Sequence, residues 1–400
     1  MNLKYWGIWE IMRSEKIRIC FVINTDIRTG AGVERTLYYY LKYIDRNIFA
    51  PIIVMTDDMD KQRFNFDSKV FESVPIVNIK SYIARFNFVR SVPLIGNLIF
   101  FSLQYPVTFL SAYSIKNILK GSIKKIDILY LSYSQFIIYF PSNIPLKIGS
   151  EQTLVVDTGG GLVSRMQRLT HILAFKKIDV FHFLSLKIAK CSYLSKPIFI
   201  IPSGIDRERF NLILDSKSRF VQFVFFGRLV KGKGVRTLLS AWEIVMAEGN
   251  DNFQLNIIGG GDLEGLVMAT SVKNVKYYGV LSDDDLVKLA GSCDVFVYPS
   301  TNDTFSLTTV EAMAMGLYVI TTDYFRGIFD EARDAGFLEY LSKDAQKYAE
   351  RMIDVASNIH NIRMKREAIH SFALQKYSWD IIVEELSNKF IELYDKKIGS

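Results

Sequence analysis

Two carboxylates, Asp303 and Glu311, punctuate the stretch Y-P-S-T-N-D-T-F-S-L-T-T-V-E-A-M-A-M-G-L-Y-V-I-T-T from Tyr298 to Thr322. Between them lie Phe305, Ser306 and Leu307, at the end of a loop and the first turn of a helix, where backbone N–H groups have no helical acceptor. Such N–H groups and the positive end of the helix dipole suit a phosphate. One acid before the N–H groups and another just over one turn inside can grip hydroxyls on either side of that phosphate. A sugar on one side and a ribose on the other would fit, which is the layout of a nucleotide-sugar site.

The elements that must hold these groups are readable around them. Cys293 to Tyr298 is short, apolar and β-branched, a buried strand stopped by Pro299 and Ser300. Residues 301–305 form a loop. Leu307 to Met315 reads as a helix with Leu307, Val310, Met313 and Ala314 on one side. Gly316 ends it, and Tyr318-Val319-Ile320 opens the next strand. Strand, loop, helix, strand is the unit of a parallel α/β sheet.

A second chemical cluster lies upstream. Phe220 to Phe226 is an unbroken apolar strand of the kind buried on both faces. The glycine-rich loop G-R-L-V-K-G-K-G-V from Gly227 to Val235 follows, then a helix to Met246. Arg228 and Lys233 bracket this loop at a helix start, so two cations and several N–H groups can surround a diphosphate. Phe253 to Ile258 is a further strand, running into Gly259-Gly260-Gly261-Asp262. Val275 to Gly279 is another, after which Val280 and Leu281 offer backbone groups to a nucleotide base. Ser282 is placed to cap a helix with three acids, Asp283 to Asp285, in its first turn, a good match to the dipole.

The Tyr298–Thr322 segment resembles the E-x7-E signature of the retaining glycosyltransferases of family 4, which have the GT-B fold. The family form is P-S-x-x-E-x-F-G-L-x-x-x-E-A-M-A-x-G-x-P-V-I; here Asp303 replaces the first Glu, Ser306 the Gly and Tyr318 the Pro. The first change keeps a carboxylate but shortens it by one methylene. The Arg228 loop is similar to the family's G-R-L-x-x-x-K-G, and Gly259 to Gly261 to its G-x-G loop. I-P-S-G-I-D-R-E-R-F, Ile201 to Phe210, is similar to the family's I-P-N-G-V-D-x-x-x-F hinge. The resemblance implies that Arg228 and Lys233 stabilise the leaving diphosphate, Asp303 holds sugar hydroxyls, and Glu311 holds ribose hydroxyls. It implies no metal and no cofactor beyond the nucleotide-sugar co-substrate.

The first half carries the resemblance weakly. Lys16 to Asn24 reads as a strand, T-D-I-R-T-G-A-G-V-E-R as a loop, and Thr36 to Tyr43 as a helix, the opening of a Rossmann-like domain. Gly30 and Gly32 permit close approach of backbone to ligand. No third glycine follows, which disfavours NAD. Strands are expected at Pro51–Thr56, Val74–Ile79, Asp127–Leu131, Asp179–Ser185 and Pro197–Ile201, and a helix at Leu186–Leu194. Gln152, where many members of the family carry a His, and Asp157 are candidate polar groups toward the acceptor.

Composition narrows the class. At 400 residues the chain has room for two sizeable cores. Three scattered cysteines and four unpaired histidines offer no disulfide framework and no metal spacing, which points to a reducing cytoplasm. Residues 1–200 hold 26 Lys+Arg against 14 Asp+Glu, and residues 201–400 hold 23 against 28. A basic first half calls for an anionic partner. No nucleic-acid module is present, so a membrane surface or an anionic lipid-linked substrate is the expected one. Ser91 to Ile115 carries no charge, but Pro93, Gly96 and Pro106 interrupt it, so it reads as apolar helices able to dip into a membrane face rather than a span.

The expected architecture is therefore α/β, with two Rossmann-like domains facing a cleft. An extension covers residues 1–15. Residues 16–203 form the acceptor domain, with a C-terminal helix at 378–400 crossing back onto it, and residues 204–377 form the donor domain. The expected function is transfer of a sugar, with retention, from a nucleotide sugar to a lipid-linked or polysaccharide acceptor in cell-surface glycan synthesis, at the inner face of the cell membrane. The alternative is a non-catalytic nucleotide-sugar-binding scaffold on the same fold.

Overall fold

The structure is a computed structural model; it describes residues 15–23, 31–55, 67–78, 125–132, 137, 140–151, 174–191, 196–210 and 218–399. The chain divides into two compact units. The first comprises Met1–Leu184, Ile188–Ile201 and Val383–Ser400, and the second Ser185–Lys187 and Pro202–Ile382.

The first unit is built on a parallel sheet of β1 (Ile17–Ile23), β2 (Phe49–Met55), β3 (Ile76–Asn78), β4 (Ile128–Leu131), β5 (Leu146–Glu151), β6 (Val180–Phe183) and β7 (Ile198–Ile200). The order is β3-β2-β1-β4-β5-β6-β7. Helix α1 (Ala31–Tyr43) follows β1, and α2 (Leu186–Cys191) follows β6. The helix expected from Thr36 begins five residues earlier, so Gly32 lies inside its first turn and not in a loop. Cys20, Val22, Leu129, Leu131, Phe181 and Phe183 share one buried cluster, in keeping with strands covered on both faces.

Strand order reverses between β1 and β4, and a small cavity lies there, lined by Phe21, Ile23, Thr36, Leu37, Tyr40, Tyr130 and Ser132. Beside it runs a buried chain of hydrogen bonds. His182 Nε2 is 2.8 Å from the Ile201 carbonyl, which can only accept, so Nε2 carries the proton and Nδ1 accepts from the Tyr130 hydroxyl at 2.7 Å.

The second unit is a parallel sheet of β8 (Val221–Phe226), β9 (Phe253–Ile258), β10 (Val275–Tyr277), β11 (Val295–Tyr298), β12 (Tyr318–Thr322) and β13 (Leu338–Leu341), ordered β10-β9-β8-β11-β12-β13. Its helices are α3 (Val235–Ala247), α4 (Glu264–Met268), α5 (Asp283–Gly291), α6 (Leu307–Ala314), α7 (Asp330–Asp334), α8 (Ala345–Ser357), α9 (Ile359–Met364) and α10 (Arg366–Tyr377). Strands β8, β9, β11 and β12 are almost wholly buried, as their apolar runs require.

Two arginines tie this unit together. Arg363 grips the buried Asp294 through Nε at 2.8 Å and Nη2 at 3.0 Å, and Asp294 also accepts the Gln222 N–H. Arg366, itself buried, donates to the carbonyls of Gly291, Cys293 and Met315, at the C-terminal ends of α5 and α6 where carbonyls lack helical partners.

The last helix, α11 (Trp379–Ile398), starts in the second unit, and from Val383 onward belongs to the first. There Phe390 meets Phe49 and Tyr130 edge-on, and the Tyr394 hydroxyl donates to Asp127. Among the described residues no helix is long and apolar enough to cross a membrane; the uncharged 91–115 run lies outside them.

Candidate donor-binding site

In the second unit strand order reverses between β8 and β11. Loops leaving the C-terminal ends of two such strands part to either side and open a crevice, the usual ligand position of an open α/β sheet. The loops concerned are residues 227–234 and 299–306, which carry Arg228, Lys233 and Asp303.

The two loops are stitched to each other. The Thr301 N–H and the Ser300 hydroxyl both donate to the Gly232 carbonyl. Gly234 turns at φ +82° so tightly against Pro299 that a Cβ there would lie 2.1 Å from the Pro299 oxygen. A Cβ on Gly227 would lie 3.7 Å from Thr308 Cγ2, which puts the Arg228 loop beside the first turn of α6. Lys233 reaches across to Asp303, Nζ to Oδ2 at 2.6 Å, and the Tyr298 hydroxyl donates to the same oxygen at 3.0 Å. Burial disfavours the Lys233 ammonium, but Tyr298 and Asp303 outweigh that and hold its pKa above the ordinary value. Burial and the Asp303 charge push Tyr298 up. The Arg228 side chain is exposed, with no hydrogen bond or ion pair among the described residues.

Helix α6 begins as expected, with its donors open. No acceptor among the described residues takes the backbone N–H groups of Phe305, Ser306, Leu307 or Thr308. Ser306 precedes the helix at φ +68°, ψ +73°, in the left-handed region. That geometry accounts for the glycine of the resembled motif. Here the buried serine is held instead by its hydroxyl, 2.8 Å from Thr309 Oγ1 and 3.3 Å from Thr308 Oγ1. The Ser185 hydroxyl donates to the Thr304 carbonyl in the same loop at 3.0 Å.

Glu311 is nearly buried one turn into α6, its Oε1 accepting from Arg209 Nη1 at 3.2 Å. No local pattern in the sequence links Arg209 to Glu311, which lies 102 positions away. Gly259 and Gly261 do bring backbones together, but the partner is the Arg228 loop: a Cβ on Gly259 would lie 1.9 Å from the Gly227 oxygen, and one on Gly261 2.8 Å from the Leu229 oxygen. Leu281 follows Val280, which is 79% exposed at the edge of the same loops. Ser282 caps α5 as expected, its Oγ accepting the Asp285 N–H. Gly30, Gln152 and Asp157 lie outside the described residues.

Two loops carrying Arg228, Lys233 and Asp303, and the start of α6 with Glu311 and four open N–H groups at residues 305–308, thus come together at one end of one sheet. The family described as Glycosyl transferases group 1 matches residues 221–358, the stretch that supplies all of them. Over that stretch the chain is similar to the group 1 glycosyltransferases. The chain is 28% identical over 236 residues to an uncharacterised glycosyltransferase of Methanocaldococcus jannaschii, covering 52% of this chain and 57% of that protein. It is 27% identical to a GDP-mannose-dependent monoacylated alpha-(1-6)-phosphatidylinositol monomannoside mannosyltransferase of Corynebacterium glutamicum, covering 53% and 62%. It is 26% identical to the capsular polysaccharide biosynthesis glycosyltransferase CapM of Staphylococcus aureus, covering 55% and 61%. These matches span little more than half the length of either partner.

Solved structures match over nearly all of the chain. A glycosyltransferase from Rickettsia africae superposes with a TM-score of 0.68 at 16% identity, covering 96% of this chain and 99% of that one. Anabaena HepE, crystallised with UDP and glucose, gives 0.64 at 14% identity, covering 94% and 100%. The two Rossmann-like units are those of the GT-B fold.

Proposed function

We propose that the chain is a retaining glycosyltransferase that moves a sugar from a nucleotide-sugar donor to a lipid-linked or polysaccharide acceptor. The observation that carries this is the approach of the loop bearing Arg228 and Lys233 to Asp303 and to the open N–H groups of residues 305–308 at the β8/β11 crevice, beside Glu311. Arg228, Lys233 and the N–H groups stabilise charge growing on the departing diphosphate, which is electrostatic catalysis without a divalent ion. Asp303 takes sugar hydroxyls and Glu311 ribose hydroxyls. The bond from the anomeric carbon to the diphosphate oxygen breaks, one from the same carbon to the acceptor oxygen forms on the same face, and the acceptor's proton passes to the departing phosphate. The basic first half and the relatives that act on a phosphatidylinositol glycan or in capsule synthesis support an anionic lipid-linked or polysaccharide acceptor, met at the inner face of the cell membrane.

A panel of UDP- and GDP-sugars, scored first by thermal midpoint and then by release of nucleoside diphosphate in the presence of EDTA, tests the reading. One sugar should raise the midpoint and be turned over once a lipid-linked acceptor is supplied, and the product's anomeric proton coupling should match the donor's. Binding without turnover on any acceptor would favour the scaffold reading, and turnover that stops in EDTA would remove the metal-free mechanism.

A further inference from the structure

Arg209 sits on the short 3-10 turn Glu208–Phe210, within the I-P-S-G-I-D-R-E-R-F stretch. The turn is built to be rigid. Asp206 Oδ1 accepts the Glu208 N–H at 3.1 Å, Phe210 is buried beneath, and the arginine lies 5.1 Å from the Phe210 ring. At its base, a Cβ on Gly204 would meet the Trp379 ring at 2.5 Å, so only glycine lets the tryptophan pack there. From this mount the guanidinium forks between two acids of two helices: Nη1 is 3.2 Å from Glu311 Oε1 in α6, and Nη2 is 3.4 Å from Asp283 Oδ1 in the first turn of α5. Its Nε is buried with no partner among the described residues.

We infer that Arg209 is a positioning residue of the donor site: it fixes the Glu311 carboxylate, ionised and in one orientation, to accept both hydroxyls of a vicinal diol. The inference rests on the reading of Glu311 as the ribose-holding group. A nearly buried carboxylate keeps its charge only beside a cation, and only the charged form is a pure acceptor able to take two O–H donors. Arginine suits this because its planar fork can hold Glu311 and Asp283 at once, whereas a lysine ammonium has no such fixed geometry. The orphaned Nε fits the same account. The guanidinium is oriented by what its outer nitrogens must hold, at the expense of its own complete hydrogen bonding.

The test compares UDP and GDP with their 2′-deoxy and 3′-deoxy counterparts, by calorimetric titration of the full chain and of Arg209→Lys, Arg209→Gln and Glu311→Gln. The parent should prefer the ribose form by about 10- to 100-fold, the worth of a hydrogen bond to a charged group. In both Arg209 variants the preference should shrink to within about threefold, while affinity for the deoxy forms changes little. Each preference is a ratio taken on one preparation, so a partly misfolded fraction does not alter it. A merely structural role would weaken ribose and deoxy forms alike and leave the ratio intact. An intact ratio in both Arg209 variants, with the ratio lost in Glu311→Gln, overturns the inference and spares the ribose reading. An intact ratio in Glu311→Gln overturns the ribose reading and the inference with it. Failure of the parent to bind either nucleotide removes the donor site altogether.

Discussion

Lys233 and Asp303, 70 positions apart, form the shortest side-chain link across the β8/β11 crevice, Nζ to Oδ2 at 2.6 Å. From the sequence the two were expected to meet different parts of one ligand, the diphosphate and the sugar. An ammonium has three donors, so Lys233 can keep Asp303 and still offer a hydrogen to a phosphate oxygen. Under the proposed function, the pair would pre-position both groups before the ligand arrives and lower the cost of ordering them.

Lys233→Met would leave a largely buried carboxylate and the Tyr298 hydroxyl without their cation. A loss of about 2 kcal/mol in urea unfolding is expected, the range for a hydrogen bond to a charged group. Its pH dependence has a definite sign. The folded-state pKa of Lys233 lies above its ordinary 10.5, so the contribution is complete below that value and is lost as pH rises through the folded value. The stability gap between parent and variant should hold level from about pH 6 to 9 and narrow only in stronger base. A gap that had already closed at neutral pH would contradict the pairing.

Ser306 combines a left-handed backbone with a buried hydroxyl bond to Thr309. The two effects separate by substitution. Ser306→Ala keeps the backbone strain and loses the bond, and should cost about 1 kcal/mol. Ser306→Gly loses the bond but relieves a strain of roughly 1–2 kcal/mol, and should match or exceed the parent. Urea midpoints that placed the glycine variant below the alanine one would show that φ is not what selects the residue here.

His182 is wholly buried, and burial lowers its pKa to about 4 against the opposing pull of the Ile201 carbonyl. The folded state thus keeps the ring neutral where the unfolded chain would protonate it. Stability should fall as pH drops below about 6.5, by about 3 kcal/mol on reaching the folded value, at 1.36 kcal/mol per pKa unit. His182→Asn, which retains a donor and an acceptor but does not titrate, should be less stable at neutral pH and lack this part of the slope. Equal slopes for the two proteins between about pH 7 and 5 would mean that the ring takes up its proton while folded.

What could be read ahead of the structure follows from how locally each feature is encoded. Strands β8, β9 and β11 are covered on both faces, so their apolar runs announce them. Strand β13 is not legible in the sequence: L-E-Y-L at the sheet edge carries a glutamate and a half-exposed tyrosine, and nothing in it distinguishes a strand from a loop. Gly30 and Gly32 drew the expected loop after β1 too long, because α1 tolerates a glycine in its opening turn. Arg228, Lys233, Asp303 and Glu311 were legible because each belongs to a short pattern. Arg209 and Tyr298 were not, since their roles arise only when segments distant in sequence, or opposite ends of one loop, fold onto the same carboxylate.

Arg228 separates function from stability most cleanly. Its side chain is exposed and bonded to nothing among the described residues, so Arg228→Ala should leave the urea midpoint within about 0.5 kcal/mol of the parent. The residue follows Gly227, where a Cβ would lie 3.7 Å from Thr308 in the first turn of α6, whose N–H groups stand open. If it meets charge that grows only as the diphosphate departs, its removal should lower turnover by about 100-fold or more and change donor affinity far less. Arg228→Lys should recover only part of the rate, because a point charge cannot span two phosphate oxygens as a guanidinium does. Rates of nucleoside diphosphate release across donor concentrations would decide the matter. A variant whose KM rose while kcat held would make Arg228 a group that merely binds the donor, and would move the catalytic charge to Lys233 and the open amides.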